Sequence, residues 1–274
     1  MIFNKFVKNF VIYLNPSRRQ IMKQFTLFSS VVLMLALLSS TIYAALPDDI
    51  VLYMAFDEGA GTTIRDSSKY GNNGVASAAS WANAKYGKGF KFDAKTTTIS
   101  VKTSNSLTAL KEPMSVGCWI NPASFPGEWQ CIIEMRPQAG AAGGWKLGIH
   151  NSNPTFTTYG VLDHYATGAI KTNEWSNIVA TYDGKIAKFY INGKLDTEMA
   201  GQGAINVTTS PVLSMGAESG VAGTWAIDAI VDNLWVSNIV KSEKDIQQLM
   251  ENQLALVESS GKLSTTWSHI KNIR

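Results

Sequence analysis

The sequence predicts an all-β protein: a two-sheet antiparallel β-sandwich closed by one short C-terminal helix. Three observations carry this prediction. Short apolar-alternating runs recur along the chain, Gly, Asn, Pro and Ser turn signals separate them, and residues 175–195 (WSNIVATYDGKIAKFYINGKL) contain two hairpin dipeptides. Those dipeptides, Asp183-Gly184 and Asn192-Gly193, supply the positive φ that two-residue turns need, so the segment reads as three successive antiparallel strands. A turn on Asp183-Gly184 sets Ala180 opposite Ala187 and Ile178 opposite Phe189. One face is then apolar (Ile178, Ala180, Ala187, Phe189, Ile191), while Thr181, Lys188 and Tyr190 point the other way, as one-sided burial requires.

The chain has 274 residues, 45% hydrophobic and 16% charged, which suits a folded domain with a sizeable core. Its first 44 residues read as a leader. Lys23 precedes the apolar run Phe25 to Leu38, followed by Ser39, Ser40 and the small residues Ala44 and Ala45. A positive segment, a short apolar core and small residues at the cut describe a secretory signal, too short for a comfortable membrane span. The economical start is Met22, with cleavage after Ala44. Ser17-Arg18-Arg19-Gln20-Ile21-Met22-Lys23 also resembles the twin-arginine export motif, and an uncleaved anchor is the third reading. All three place the domain outside the cytoplasm: secreted, periplasmic or at the cell surface, with no membrane span in the mature chain. The leader carries five cations and no acid. Removing those five from the 24 basic residues leaves 19 against 21 acidic ones, a net of −2, which gives a nucleic-acid partner no electrostatic support.

Strand-like runs then follow at residues 50–56, 87–93, 98–102, 114–120, 131–135, 145–150, the hairpin segment, 211–217 and 229–238. Many short strands with frequent turns and no internal repeat argue for one sandwich or jelly-roll domain over residues 46–251. Cys118 and Cys131 fall in consecutive runs. If those strands are adjacent, a cross-strand disulfide fits; the alternative is two small buried thiols. Near the end, Ser242 caps a helix with Glu243 and Asp245 in its first turn, and Ile246, Leu249 and Met250 form one apolar face. Residues 252–274 read as a polar, basic tail.

Taken in order, five segments resemble the bacterial laminin G-like jelly-roll domains of the concanavalin A-like lectin/glucanase superfamily. They are YMAFDEGAGTTIRDSSKYGNNG, YGKGFKFD, MSVGCWINP, WSNIVATYDGKIAKFYINGK and VDNLWVSNIVKSEKDIQQLM. The resemblance implies two antiparallel sheets and a domain that binds carbohydrate or protein. Hydrolytic relatives alternate two glutamates and an aspartate on one strand, because retaining hydrolysis needs carboxyls about 5 Å apart. No such run exists here: Glu112, Glu128 and Glu134 are scattered, so the expectation is a domain that is not an enzyme. His150, His164 and His269 lack zinc-ligand spacing.

The resemblance also implies a structural Ca2+, drawn from acids near the first and last strands. The matching positions are Asp57 and Glu58, Asp66 and Asp232, with Asp228 a weaker addition. The alternative is that Asp66 caps its turn and Asp232 binds backbone amides. For sugar recognition the chain offers aromatics in or beside loops: Trp129, Trp145, Tyr159, His164, Tyr165 and Trp225. Trp129, after Pro126-Gly127, and Trp225, after Gly223, are the most exposed by context, whereas Trp119, Trp175 and Trp235 belong to packing. The expected partner is an extracellular glycan, with a surface protein as the second reading and a degenerate hydrolase as the third.

Overall fold

The computed structural model describes residues 46–136, 142–206 and 211–251. The predicted leader and the predicted tail beyond residue 251 lie outside the described residues. Among the described residues sixteen strands form two antiparallel sheets. The first sheet holds β4 (Trp81–Asn83), β5 (Lys88–Asp93), β7 (Met114–Ser124), β12 (Ser176–Tyr182), β13 (Ile186–Ile191), β14 (Lys194–Ala200) and β16 (Asp228–Ser237) in the order β14-β13-β12-β7-β16-β5-β4, with β1 (Ile50–Met54) also paired to β16. The second runs β11-β10-β9-β8-β15-β6-β3-β2. Its members are β2 (Thr63–Ile64), β3 (Gly74–Ala76), β6 (Ile99–Val101), β8 (Trp129–Arg136), β9 (Trp145–His150), β10 (Asn153–Thr158), β11 (Leu162–Tyr165) and β15 (Val212–Met215). A four-residue helix α1 (Asn105–Thr108) and the C-terminal α2 (Glu243–Glu251) complete the domain.

The hairpin segment forms three strands, but its first turn sits one residue later than the Asp-Gly signal suggests. Tyr182 pairs with Ala187 and Ala180 with Phe189, so the two-residue loop is Gly184-Lys185. Gly184 takes a φ of 88°, while the Asp183 carboxylate accepts the Lys185 and Ile186 amides at 2.8 and 2.6 Å. Asp183 therefore braces the turn from its flank. Because the register moves by two, every side chain keeps its predicted face. Ile178, Ala180, Ala187 and Phe189 enter the main core with Val116, Ile120, Phe90, Phe92, Leu147 and Phe156. The second turn is as expected, with Asn192 and Gly193 at φ 53° and 75°.

The outer face of the first sheet is apolar too, and α2 covers it. Ile246 and Leu249 pack with Ile50, Tyr53, Val179, Tyr190 and Trp235. Asp245 exchanges hydrogen bonds with Ser242 at the helix start.

The predicted disulfide is absent: Cys118 and Cys131 are both free and buried. Their strands are consecutive in sequence but not adjacent in space, because the 125–128 connection crosses between sheets. Cys118 on β7 faces the core from the first sheet and pairs with Ile178. Cys131 on β8 lies in the second sheet, paired with Gly148. Packed sheets stand about 10 Å apart, beyond the roughly 7 Å Cα limit for a bridge. Among the described residues no helix is long and apolar enough to cross a membrane.

Candidate functional site

Register places a line of polar side chains across the outer face of the second sheet. Ser214 pairs with Glu134, Glu134 with Lys146, Lys146 with Thr157, and Thr157 with Asp163, one residue from each of five neighbouring strands. Their neighbours Ile133, Met135, Trp145, Leu147 and Phe156 enter the core, so the line itself points away from it. The two-residue period extends the same face to Arg136, Gly148, His150, Tyr159 and Tyr165.

This face opens into a cleft of about 350 Å³ lined by Trp129, Arg136, Lys146, Thr157, Tyr159, Asp163 and Trp225, among others. Trp225 is 41% exposed and half-buried Trp129 lies beside it, ring centroids 6.0 Å apart at 31°. Trp129 continues the aromatic strip to His150 at 4.5 Å and Tyr165 at 6.0 Å. Trp225 arrives on the loop after β15. Its backbone holds φ 44°, and its carbonyl accepts the Cys131 amide at 2.7 Å. A bulky residue in the left-handed region costs of order 1–3 kcal/mol, and such strain persists where surrounding structure imposes it, often at binding sites. Here the strand amide pins the backbone and the indole is held over the cleft.

Beneath the indoles the charges are mostly committed. Glu134 accepts the Tyr159 hydroxyl at 2.7 Å, the Ser214 hydroxyl at 3.4 Å and the Ser219 amide. Burial pushes its carboxyl upward, opposed by the Tyr159 hydroxyl and the Ser219 amide. Arg136 bridges to Glu218 and stacks its guanidinium 3.9 Å from the Tyr159 ring centroid. Asp163 accepts the Thr157 hydroxyl at 2.6 Å. Lys146 is only 1% exposed and sits between the indoles, its ammonium 4.8 Å from the Trp129 ring and 4.6 Å from that of Trp225. Burial pushes its pKa down.

Of the aromatics named from sequence, the structure brings Trp129, Tyr159, Tyr165 and Trp225 to this face and removes two. Trp145 is fully buried, stacked 6.3 Å from Phe156. His164 is also fully buried, its ring against Phe156 and Tyr182 and its Nδ1 3.0 Å from the Phe156 carbonyl. Both occupy core-facing strand positions and cannot reach a ligand in the cleft. Lys146, Arg136, Thr157, Asp163 and Glu218 were missed. The available signal was TFTTYGVLDHY, an alternating run that forms β10 and β11.

The acids named for calcium do not converge as a set of four. Asp66 is saturated by the Tyr53, Ser68 and Asn72 amides and the Ser68 hydroxyl at 2.7–2.9 Å, so it organises its turn. Asp228 accepts from Ser124, and Glu58 accepts the Arg65 amide at 2.8 Å through one oxygen. Asp57 and Asp232 flank one turn, accepting the Lys88 and Tyr86 amides respectively, each at 2.9 Å. Burial, together with the Asp57 charge, pushes Asp232 up to about 8, and its Oδ1 is buried without a hydrogen bond. Asp66 has no part in that corner. Among the described residues no three His, Cys, Asp or Glu groups are arranged to hold a metal.

A family model described as the concanavalin A-like lectin/glucanases superfamily matches residues 93–247. No curated protein matches the sequence. Solved structures share the fold at low identity. Domain 4 of AbnA, a GH43 extracellular arabinanase from Geobacillus stearothermophilus in complex with arabinotriose, is 13% identical with a TM-score of 0.59, covering 73% of this chain and 98% of that one. The binding domain of Paraclostridial Mosquitocidal Protein 1 is 15% identical with a TM-score of 0.59, covering 75% of this chain. Trypanosoma rangeli sialidase is 12% identical with a TM-score of 0.57, covering 78%. This chain spans 52% of the toxin domain and 34% of the sialidase.

Proposed function

The chain belongs to the concanavalin A-like lectin/glucanase superfamily, and from that premise we propose that it is a secreted or cell-surface, non-enzymatic module that binds carbohydrate in the Trp129–Trp225 cleft. The aromatic strip over a polar floor carries this reading. Sugars present C–H faces that pack on aromatic rings and hydroxyls that need nearby donors and acceptors, and this cleft offers both together. The arabinotriose complex of the arabinanase domain adds support by analogy of fold.

The floor favours binding over hydrolysis. Two residues from Glu134 on its strand stands Arg136, not a second carboxylate, and Glu218 is bound to that arginine. A glycan array followed by calorimetry tests the reading. Binding is expected, with loss in Trp129→Ala and Trp225→Ala; absence of any glycan binding would overturn it, and release of reducing sugar would overturn the non-enzymatic part. A protein-interaction or adhesion role is the second reading. It draws on β14, which stands at the first sheet's edge and exposes Leu195. For the cation, the proposal narrows to Asp57 and Asp232, whose carboxylates would hold calcium and whose mutual repulsion it would relieve.

A further inference from the structure

Among the described residues, Lys146 is a cleft cation that makes no side-chain hydrogen bond and no ion pair. Its ammonium carries three N–H donors. The side chain is nonetheless almost wholly buried. The acids around it are engaged: Glu218 with Arg136, Glu134 with Tyr159, Ser214 and Ser219, and Asp163 with Thr157. Two indoles flank the ammonium, and cation–π attraction of this kind holds a lysine in place without neutralising it. A buried ammonium left in that state is costly, and an anion supplied from outside would relieve the cost.

Resting on the carbohydrate reading, we propose that the cleft selects acidic saccharides, with the carboxylate of a uronic or sialic acid docking on Lys146. The sugar ring then packs along Trp225 and Trp129, and its hydroxyls donate to Asp163. Glu134 and Asp163 stand in the same line as Lys146. Their carboxylates disfavour densely charged polyanions by like-charge repulsion. A charge-assisted hydrogen bond in a largely desolvated site is stronger than a neutral one, so the preference should be large.

The test compares matched probes by calorimetry at low salt: trigalacturonate against its methyl ester, and 3′-sialyllactose against lactose. At least one acidic probe is expected to bind tenfold or more tighter than its neutral counterpart, with affinity falling as salt rises. Lys146→Met keeps the aliphatic stem and should abolish the preference. Lys188→Met, a change at an ion-paired lysine on the other sheet, should preserve it. Equal affinity for acidic and neutral probes would overturn this inference and leave the carbohydrate reading standing. A preference that survives in Lys146→Met would overturn the role of the lysine. If no probe and no arrayed glycan binds, both readings fall. Should Lys146→Met not fold, the acid-to-ester ratio of the unmodified chain still decides.

Discussion

The outer faces of the two sheets make the informative contrast. Both are largely shielded from solvent, yet they are built from opposite chemistry. The first sheet presents Tyr53, Val179, Tyr190 and Trp235, and α2 seals them with Ile246 and Leu249. The second presents Glu134, Arg136, Lys146, Thr157 and Asp163 under two partly open indoles. Apolar surface under a helix is ordinary packing. Ionised groups held half-dry, with one cation uncommitted, cost stability and make sense as a site.

Tryptophan removal on each side breaks or sharpens that contrast most strongly. Trp235→Ala should destabilise the domain by about 3–5 kcal/mol through loss of buried area and an unfilled cavity, measured by chemical denaturation. Trp225→Ala should weaken glycan binding by about tenfold to thirtyfold and leave stability within about 0.5 kcal/mol. Reversal of these two outcomes would erase the distinction between the faces.

A smaller effect concerns Lys146. Lys146→Met should stabilise the domain at neutral pH by on the order of 1 kcal/mol while impairing acidic-glycan binding. The pH dependence follows from burial, which lowers the folded-state pKa against the pull of Cys131, Glu134, Asp163 and Glu218. Between that lowered value and the ordinary 10.5, the unfolded chain holds a proton that the folded one has released, so stability rises with pH. The advantage of Lys146→Met should therefore shrink as pH climbs towards 10.5, while anionic-sugar binding by the unmodified chain declines. Arg136 and Tyr159, which also face this floor, are unchanged in the variant. A constant difference in stability across that range would contradict the account.

Calcium gives the smallest expected shift. Adding it after chelation should raise the melting temperature by a few degrees, about 1 kcal/mol for a domain of this size, and Asp232→Asn should remove the response. Asp66→Asn should leave the response in place, because Asp66 spends its oxygens within its own turn. An unchanged melting point in the unmodified protein would reject the site.

Local sequence made the sandwich legible because its signals are local. Period-two alternation assigns side chains to faces, and a Gly or Asn with positive φ marks a turn. Even the misplaced turn at Asp183 moved the register by two and left the buried face intact. The aromatic part of the cleft was partly legible for a related reason: Trp225 follows a loop signal and is exposed, whereas Trp129, expected to be exposed as well, opens β8 and is half-buried. Trp145 and His164 misled because aromatic identity does not say which face of a strand a residue occupies. β10 and β11 escaped notice as strands, and with them Thr157 and Asp163.

The sequence by itself determined the all-β class, the hairpin and the C-terminal helix, since each depends on residues within a turn or two of one another. Tertiary structure alone decided that Cys118 and Cys131 stand on opposite sheets, that Asp57 and Asp232 flank one turn without Asp66, and that Lys146 lies uncommitted between two indoles. Those outcomes follow from strand order and cross-strand register, which join residues as distant as Glu134 and Ser214 and which no short stretch of chain encodes.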